Sequence, residues 1–248
     1  MVIMSINKDP QVIETLFNKI SPQYDRVNRV LSLGIDQLWR KKAAQSLPNR
    51  VDLEVIDLAS GTCDQLLAIL RARSGLKRLV ALDIAEEMLA LGRKKVGAKV
   101  PVEWCVASAM EVPYKEGSFD AATISFGIRN VPDPLGCLKE MFRVVKVGGR
   151  ASILEFSLPK SALLRTLHLS YLRYVVPTVG GWMTGQRASY RYLNETIESF
   201  PHGEAFCRLM RQAGFSEVIA QPLTGGIATL YTGVKEDENS PIDQRDDS

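Results

Sequence analysis

Short apolar runs alternate with helical segments through the middle of the chain, and this alternation constrains the fold more than any other feature. The runs are Glu54–Ala59, Leu79–Ile84, Val102–Val106, Ala121–Phe126 and Ala151–Phe156. Between several of them apolar residues recur at helical spacing, near Gln65–Arg73, Glu86–Val96 and Pro134–Lys146. In the last, Leu135, Leu138, Met141, Phe142 and Val145 share one face. A helix between two strands returns the chain to run in the same direction, and parallel strands covered on both faces read as continuous apolar runs.

The expected class is therefore α/β, a Rossmann-like, doubly wound, mostly parallel sheet. A helix at His202–Ala213 ends at Gly214, a good C-terminal signal, and strand patterns follow at Glu217–Gln221 and Ile227–Val234. These two strands are expected to form an antiparallel C-terminal pair. Ahead of the first strand, residues 1–50 read as a helical extension, with Val12, Ile13, Leu16, Phe17 and Ile20 at helical spacing, a break at Ser21-Pro22, and a further helix from Asp36 to Leu47. Residues 1–234 are expected to form one domain, with an aromatic-rich stretch at Leu163–Trp182 inside a possible lid over 160–200. The segment 235–248 is acidic and aperiodic and is expected to be disordered.

Charge and cysteine content narrow the functional classes. The net charge of +3 hides an asymmetry, because the tail sets Lys235 and Arg245 against Glu236, Asp237, Glu238, Asp243, Asp246 and Asp247. The body is thus more basic than the total, which suits an anionic ligand or an acidic membrane surface. No basic stripe interleaved with aromatics is visible, so nucleic acid is not the expected partner. Cys63, Cys105, Cys137 and Cys207 are scattered without a CxxC pair, which argues against a zinc site or a disulfide framework. No apolar run approaches the ~20 residues of a bilayer span. The N-terminus lacks a signal or transit peptide, so a bacterial cytoplasm is the expected location.

The ends of the strands carry the chemistry, since open α/β sheets bind ligands beyond the carboxyl ends of their strands. The first strand leads into Asp57-Leu58-Ala59-Ser60-Gly61-Thr62-Cys63-Asp64, a tight small-residue turn before a helix. Such a turn lets backbone N–H groups approach a ligand beside a positive helix end. The second strand ends in Asp83, about 20 residues beyond Gly61, the spacing at which a carboxylate meets a ribose diol. The third ends in Ser108-Ala109, suited to an adenine edge and face. Together these suggest an adenosine-type cofactor. A nicotinamide cofactor would call for more glycines than Gly61 alone, and no phosphate-binding P-loop is present. S-adenosyl-L-methionine has no pyrophosphate and tolerates the thinner turn.

The fourth strand ends in Ser125-Phe126-Gly127-Ile128-Arg129-Asn130, placing a cation and an amide where a ligand would lie. Taken together, these segments resemble the class I S-adenosylmethionine-dependent methyltransferases that C-methylate prenylated quinone precursors, the demethylmenaquinone and ubiquinone-pathway family. The likeness runs from about Thr15 to Val234. Its most specific parts are Tyr24-Asp25-Arg26-Val27-Asn28, Phe126-Gly127-Ile128-Arg129-Asn130-Val131 and Ser189-Tyr190-Arg191-Tyr192-Leu193. Leu154-Glu155-Phe156-Ser157 and Leu223-Thr224-Gly225-Gly226 also match.

By that resemblance, Thr62, Asp83, Ser108, Ala109 and Ser125 fall at the cofactor site, and Asp57 and Gly61 of the turn after the first strand are expected to bind there with them. Tyr24, Tyr190 and Tyr192 are candidates for lining a quinone pocket. Arg129 is expected to stabilise a developing phenolate, since an arginine stays protonated and cannot serve as the base, and Asn130 to fix the geometry. The implied partner is a prenylated quinol reached by peripheral contact with the inner face of the membrane, with a homodimer compatible with the sequence. Two residues depart from the family pattern: Cys63 stands where glycine is usual, and Phe200 where histidine is common. The alternatives are a methyltransferase for another small aromatic or lipid, and a non-catalytic binding module of the same fold.

Overall fold

A computed structural model describes residues 24–98 and 100–237, together with Thr15. The helical pattern expected over Val12–Ile20 otherwise lies outside the described residues, as does the tail from 238. From residue 24 onward, two helices, α1 (Tyr24–Leu31) and α2 (Ile35–Gln45), precede β1 (Leu53–Leu58), α3 (Asp64–Ala72), β2 (Leu76–Asp83), α4 (Glu86–Val96), β3 (Glu103–Val106) and β4 (Phe119–Ser125). A 3-10 turn, Ile128–Asn130, leads to α5 (Pro134–Val144) and β5 (Val145–Phe156). Then come α6 (Ala162–Ser170), a π-helical turn (Tyr171–Val175), α7 (Val176–Thr184), α8 (Arg187–Ser199), α9 (Glu204–Gln212), β6 (Ser216–Leu223) and β7 (Ala228–Val234).

The strands form one sheet in the order β3-β2-β1-β4-β5-β7-β6. The first five run parallel, and β7 and β6 are added antiparallel at the far edge, as expected. From β1 the chain winds outward to β2 and β3, then returns to β4 on β1's other side. That reversal opens a crevice beyond the carboxyl ends of β1 and β4.

Alternate residues of each strand feed opposite layers. Leu53 and Val55 of β1 pack with Ala44, Leu47, Leu66, Ile69 and Leu89, beneath α2, α3 and α4. Ile56 and Leu58 face the other way, toward Leu138 and Met141 of α5 and Phe206 and Met210 of α9. The entry to α5 is set by sequence: Asp133 accepts a hydrogen bond from the Leu135 N–H at 3.0 Å, with Pro134 at the first helical position.

β5 starts earlier than its apolar run, because backbone contact rather than side-chain pattern extends it. Val145 pairs with Phe119, and a Cβ on Gly149 would come within 2.8 Å of the Asp120 carbonyl. The same glycine hairpin pins the start of the tail. Gly148 N donates to Lys235 O at 2.7 Å and Lys235 N to Gly149 O at 3.0 Å, so Lys235 is buried rather than part of a disordered segment.

The segment from 160 to 200 folds as α6, the π turn, α7 and α8. It docks on α1 through Val27, Leu158, Leu172, Val176, Tyr190 and Ile197.

Candidate active site

The turn after β1 is held from below. Asp57, at the β1 end, is fully buried, accepting hydrogen bonds from Ser60 Oγ at 2.6 Å and Thr123 Oγ1 at 2.5 Å. Burial pushes its carboxyl up to about 6 against the pull of those two hydroxyls. Ala59, Gly61 and Cys63 all adopt left-handed backbone, with φ of 47°, 53° and 66°. This zigzag turns the Gly61 N–H onto Asp83 Oδ2 at 2.7 Å. Asp83 Oδ1 accepts from the Ala85 N–H at 2.8 Å. Burial raises the Asp83 carboxyl above its ordinary value, opposed by the N–H groups of Ala85, Gly61 and Ile84.

Cys63 needs no glycine at this position because its neighbour supplies the space. A Cβ placed on Gly92 of α4 would meet Cys63 Sγ at 2.4 Å. The thiol is fully buried in that notch, and desolvation pushes its pKa far up.

A first cavity opens above this turn, with about 920 Å³ of space including its open mouth, within the range of small-molecule sites. Its wall includes Gly61, Thr62, Asp83, Ser108, Ala109, Ser125 and Asn130. α1 is tied to the turn beside it: Thr62 Oγ1 donates to Asp25 Oδ1, while Lys95 bridges Asp25 and, at 2.8 Å, Asp64.

A second cavity of similar size lies between the sheet and the helices α6 to α8. Phe126, Arg40 and Asn130 line both cavities and form the wall between them. Phe126 holds this place through a left-handed backbone (φ 57°) and packs on Phe156 at 4.5 Å between ring centroids, with the Arg40 guanidinium 5.1 Å from its own. The remaining wall includes Trp39, Arg129, His168, Tyr171, Tyr190 and Tyr192.

Arg129 sits in that wall as half of a buried ion pair. Its Nη1 meets Glu155 Oε1 at 2.8 Å and donates to the Phe126 carbonyl, and its plane lies 5.3 Å from the Phe156 ring centroid. Its Nε is buried without a partner among the described residues. Asn130 Oδ1 accepts from the Tyr192 hydroxyl at 3.4 Å. Burial raises the Tyr192 phenol, with Arg129 pulling against it.

Of the residues singled out from sequence, six cofactor candidates line the first cavity: Gly61, Thr62, Asp83, Ser108, Ala109 and Ser125. Asp57 does not. Thr123 and Ser60 seal it below the turn, so its role is to hold the turn rather than to touch a ligand. Arg129, Asn130, Tyr190 and Tyr192 gather at the second cavity. The Tyr24 side chain lies outside the described part of the structure. Phe200 is buried against Phe206, and His202 lines neither cavity. Sequence reasoning missed Glu155, Arg40, Asp25 and His168 as site residues. His168 was readable in principle, because His168, Tyr171, Leu172 and Val176 fall at helical spacing on one face.

The site fits S-adenosylmethionine on the protein's own terms. Ser125 Oγ is buried and unpartnered at the first cavity, and each Asp83 oxygen retains a lone pair beyond its backbone bond. A family model described as the ubiE/COQ5 methyltransferase family matches residues 4–235.

The chain belongs to the ubiE/COQ5 methyltransferase family.

As a member of that family it is a C-methyltransferase of the quinone-biosynthesis kind, and family membership implies S-adenosylmethionine as methyl donor. The ubiquinone/menaquinone biosynthesis C-methyltransferase UbiE of Geobacter sp. (strain M21) is 41% identical over 236 residues, covering 93% of this chain and 99% of that one. The demethylmenaquinone methyltransferase of Clavibacter sepedonicus is 39% identical over 235 residues, covering 95% of each. Among solved structures, a possible histamine N-methyltransferase from Thermotoga maritima superposes with a TM-score of 0.63 at 22% identity, covering 90% of this methyltransferase and 99% of that chain. A putative S-adenosylmethionine-dependent methyltransferase from Methanococcus maripaludis gives 0.61 at 16%, covering 89% and 94%. At such identities these structures establish the fold alone.

Proposed function

We propose that the first cavity holds S-adenosylmethionine and the second the ring of a prenylated quinol, demethylmenaquinol in the first instance, whose ring carbon is methylated. The observation that carries this reading is the shared wall. Phe126, Arg40 and Asn130 border both cavities, so a ring in one lies against a donor in the other without crossing solvent. Asp83 would take the ribose, Ser108 and Ala109 the adenine, and the Gly61-Thr62 turn and Ser125 the remainder. Bound there, S-adenosylmethionine supplies an electrophilic methyl group on a sulfonium.

The chain's own residues prepare the ring carbon. A phenol has a pKa of about 10, so its hydroxyl must be helped toward the phenolate before the ring is a strong carbon nucleophile. Arg129 acts at short range, because Glu155 balances much of its charge through Nη1 and leaves the buried Nε–H without a partner among the described residues. Asn130, held by Tyr192, orients the ring at the partition. Tyr190 shapes the pocket by packing its ring against Gly180, where a Cβ would come within 2.6 Å.

The insoluble prenyl tail requires delivery from a membrane. No helix among the described residues is long and apolar enough to cross one. The helices α6 to α7 instead expose Leu163, Leu167, Tyr174 and Trp182, none of which lines the second cavity. Between Glu155 and Glu195 the sequence has no acidic residue, whereas Lys160, Arg165, Arg173, Arg187 and Arg191 are basic. This combination suits peripheral contact with an anionic bilayer. Co-sedimentation with phosphatidylglycerol vesicles is expected to fall when Leu167 and Trp182 are both changed to Ser.

The test of the function is a strain lacking this chain. Mass spectrometry is expected to show demethylated quinones accumulating there, restored by the wild-type chain. An unchanged quinone profile contradicts the proposal.

A further inference from the structure

We infer that His168 accepts the proton of the quinol hydroxyl during methyl transfer. This assignment rests on the quinol reading of the second cavity. His168 lies on α6, one turn before Tyr171 and Leu172, and all three side chains line that cavity. The residue is 8% exposed, and its Nε2 is buried with no hydrogen-bond partner among the described residues. A buried ring nitrogen without a partner is unusual in a folded protein, and a ligand hydroxyl would supply the missing one.

The other titratable groups of the wall are committed elsewhere. From α2, Asp36 lies 3.8 Å from both Arg29 and Arg40 and accepts from Ser32 Oγ at 2.8 Å. Arg40 covers the Phe126 ring, and Arg129 is held by Glu155. Neither guanidinium gives up its proton near neutral pH. From the π turn, the Tyr171 hydroxyl donates to Leu31 O at 2.7 Å. From α8, Tyr192 donates to Asn130, and Tyr190 is a third phenol. A neutral phenol is no proton acceptor for another phenol. An imidazole is one, and burial lowers the His168 pKa below its ordinary value, keeping the ring neutral at pH 7.

The step balances as follows. The quinol O–H bond breaks and its proton passes to the imidazole. The freed electron pair moves into the ring and forms the new carbon–carbon bond, while the donor sulfur keeps the pair of the bond that breaks. The methylated carbon then loses its hydrogen to water as a proton, and the imidazolium returns its own to the ring oxygen. One proton leaves per methyl group transferred.

The chain contains two histidines, so nitrogen NMR of histidine-labelled protein distinguishes His168 from His202. Adding 1-naphthol to the protein saturated with S-adenosylhomocysteine is expected to shift the His168 Nε2 resonance and leave His202 unmoved. In His168→Gln, kcat with a short-chain demethylmenaquinol is expected to fall about 100-fold. Its KM and S-adenosylhomocysteine affinity should stay close to wild type, and the acid limb of the kcat profile should disappear. A variant that keeps wild-type kcat and its acid limb overturns the assignment while leaving the quinol reading intact. Bound naphthol that leaves His168 unmoved also overturns it. A wild-type enzyme that does not methylate the quinol overturns both.

Discussion

Arg129 Nη1 and Glu155 Oε1 meet at 2.8 Å with side chains only 4% and 1% exposed. Glu155 also accepts from the backbone N–H groups of Arg129, at 3.3 Å, and Phe156, at 2.8 Å, so one carboxylate ties the end of β5 to the turn after β4. Removing one member of such a pair strands the other charge in the interior. Glu155→Gln keeps an acceptor for only one of these N–H groups and leaves the guanidinium without a counter-charge, and should cost about 3–5 kcal/mol of stability. Urea unfolding checks this. Arg129→Met in the same background should return part of the loss.

Asp57 makes stability depend on pH. Its folded carboxyl titrates at about 6, above the ordinary 3.8, so between those values the folded chain binds more protons than the unfolded one. Stability then falls as pH rises from about 4 to about 6, and this group causes no further loss above that window. The shift corresponds to about 3 kcal/mol. Asp57→Asn is expected to flatten this part of the profile when unfolding is measured at a series of pH values.

Cys63 and Gly92 share one space. Gly92→Ala would force a methyl group to within 2.4 Å of Cys63 Sγ and is expected to destabilise by about 1–3 kcal/mol. Cys63→Gly removes the obstacle, so the double variant should lose less than the sum of the singles. A double-mutant cycle by thermal unfolding measures that coupling.

Thr62 links the turn to α1 through Asp25. Thr62→Val keeps the shape and deletes the hydrogen bond to a carboxylate, which is worth about 1.5–3 kcal/mol. S-adenosylhomocysteine affinity is expected to drop at least tenfold, read by calorimetry, because Thr62, in the wall of the first cavity, is no longer fixed to α1.

The sheet and the cofactor turn were legible in sequence because their signals are local. Apolar runs mark the strands, and Asp83 follows Gly61 at a spacing set by one strand-helix-strand unit. Long-range partners were not legible. Asp57 at a strand end reads as a ligand contact until Thr123, on the neighbouring strand β4, is seen to seal it. Arg129 reads as a free cation until β5 brings Glu155 beneath it. The 160–200 segment hid its helix boundaries behind β-branched and aromatic residues such as Tyr174, Val175 and Val176; the packing of Leu172, Val176 and Tyr190 with Val27 of α1, not local preference, selects the helices. Its inward face, with His168, shows in the spacing of His168, Tyr171, Leu172 and Val176 only once the helix boundaries are known.

Isotope transfer into the quinol gives the decisive reading. The purified protein is incubated with methyl-labelled S-adenosylmethionine and a short-chain demethylmenaquinol, and the product is analysed by NMR and mass spectrometry. One label per ring, bonded to a ring carbon, is the predicted result. Label on a ring oxygen, or S-adenosylmethionine bound without any label reaching the quinol, would contradict it.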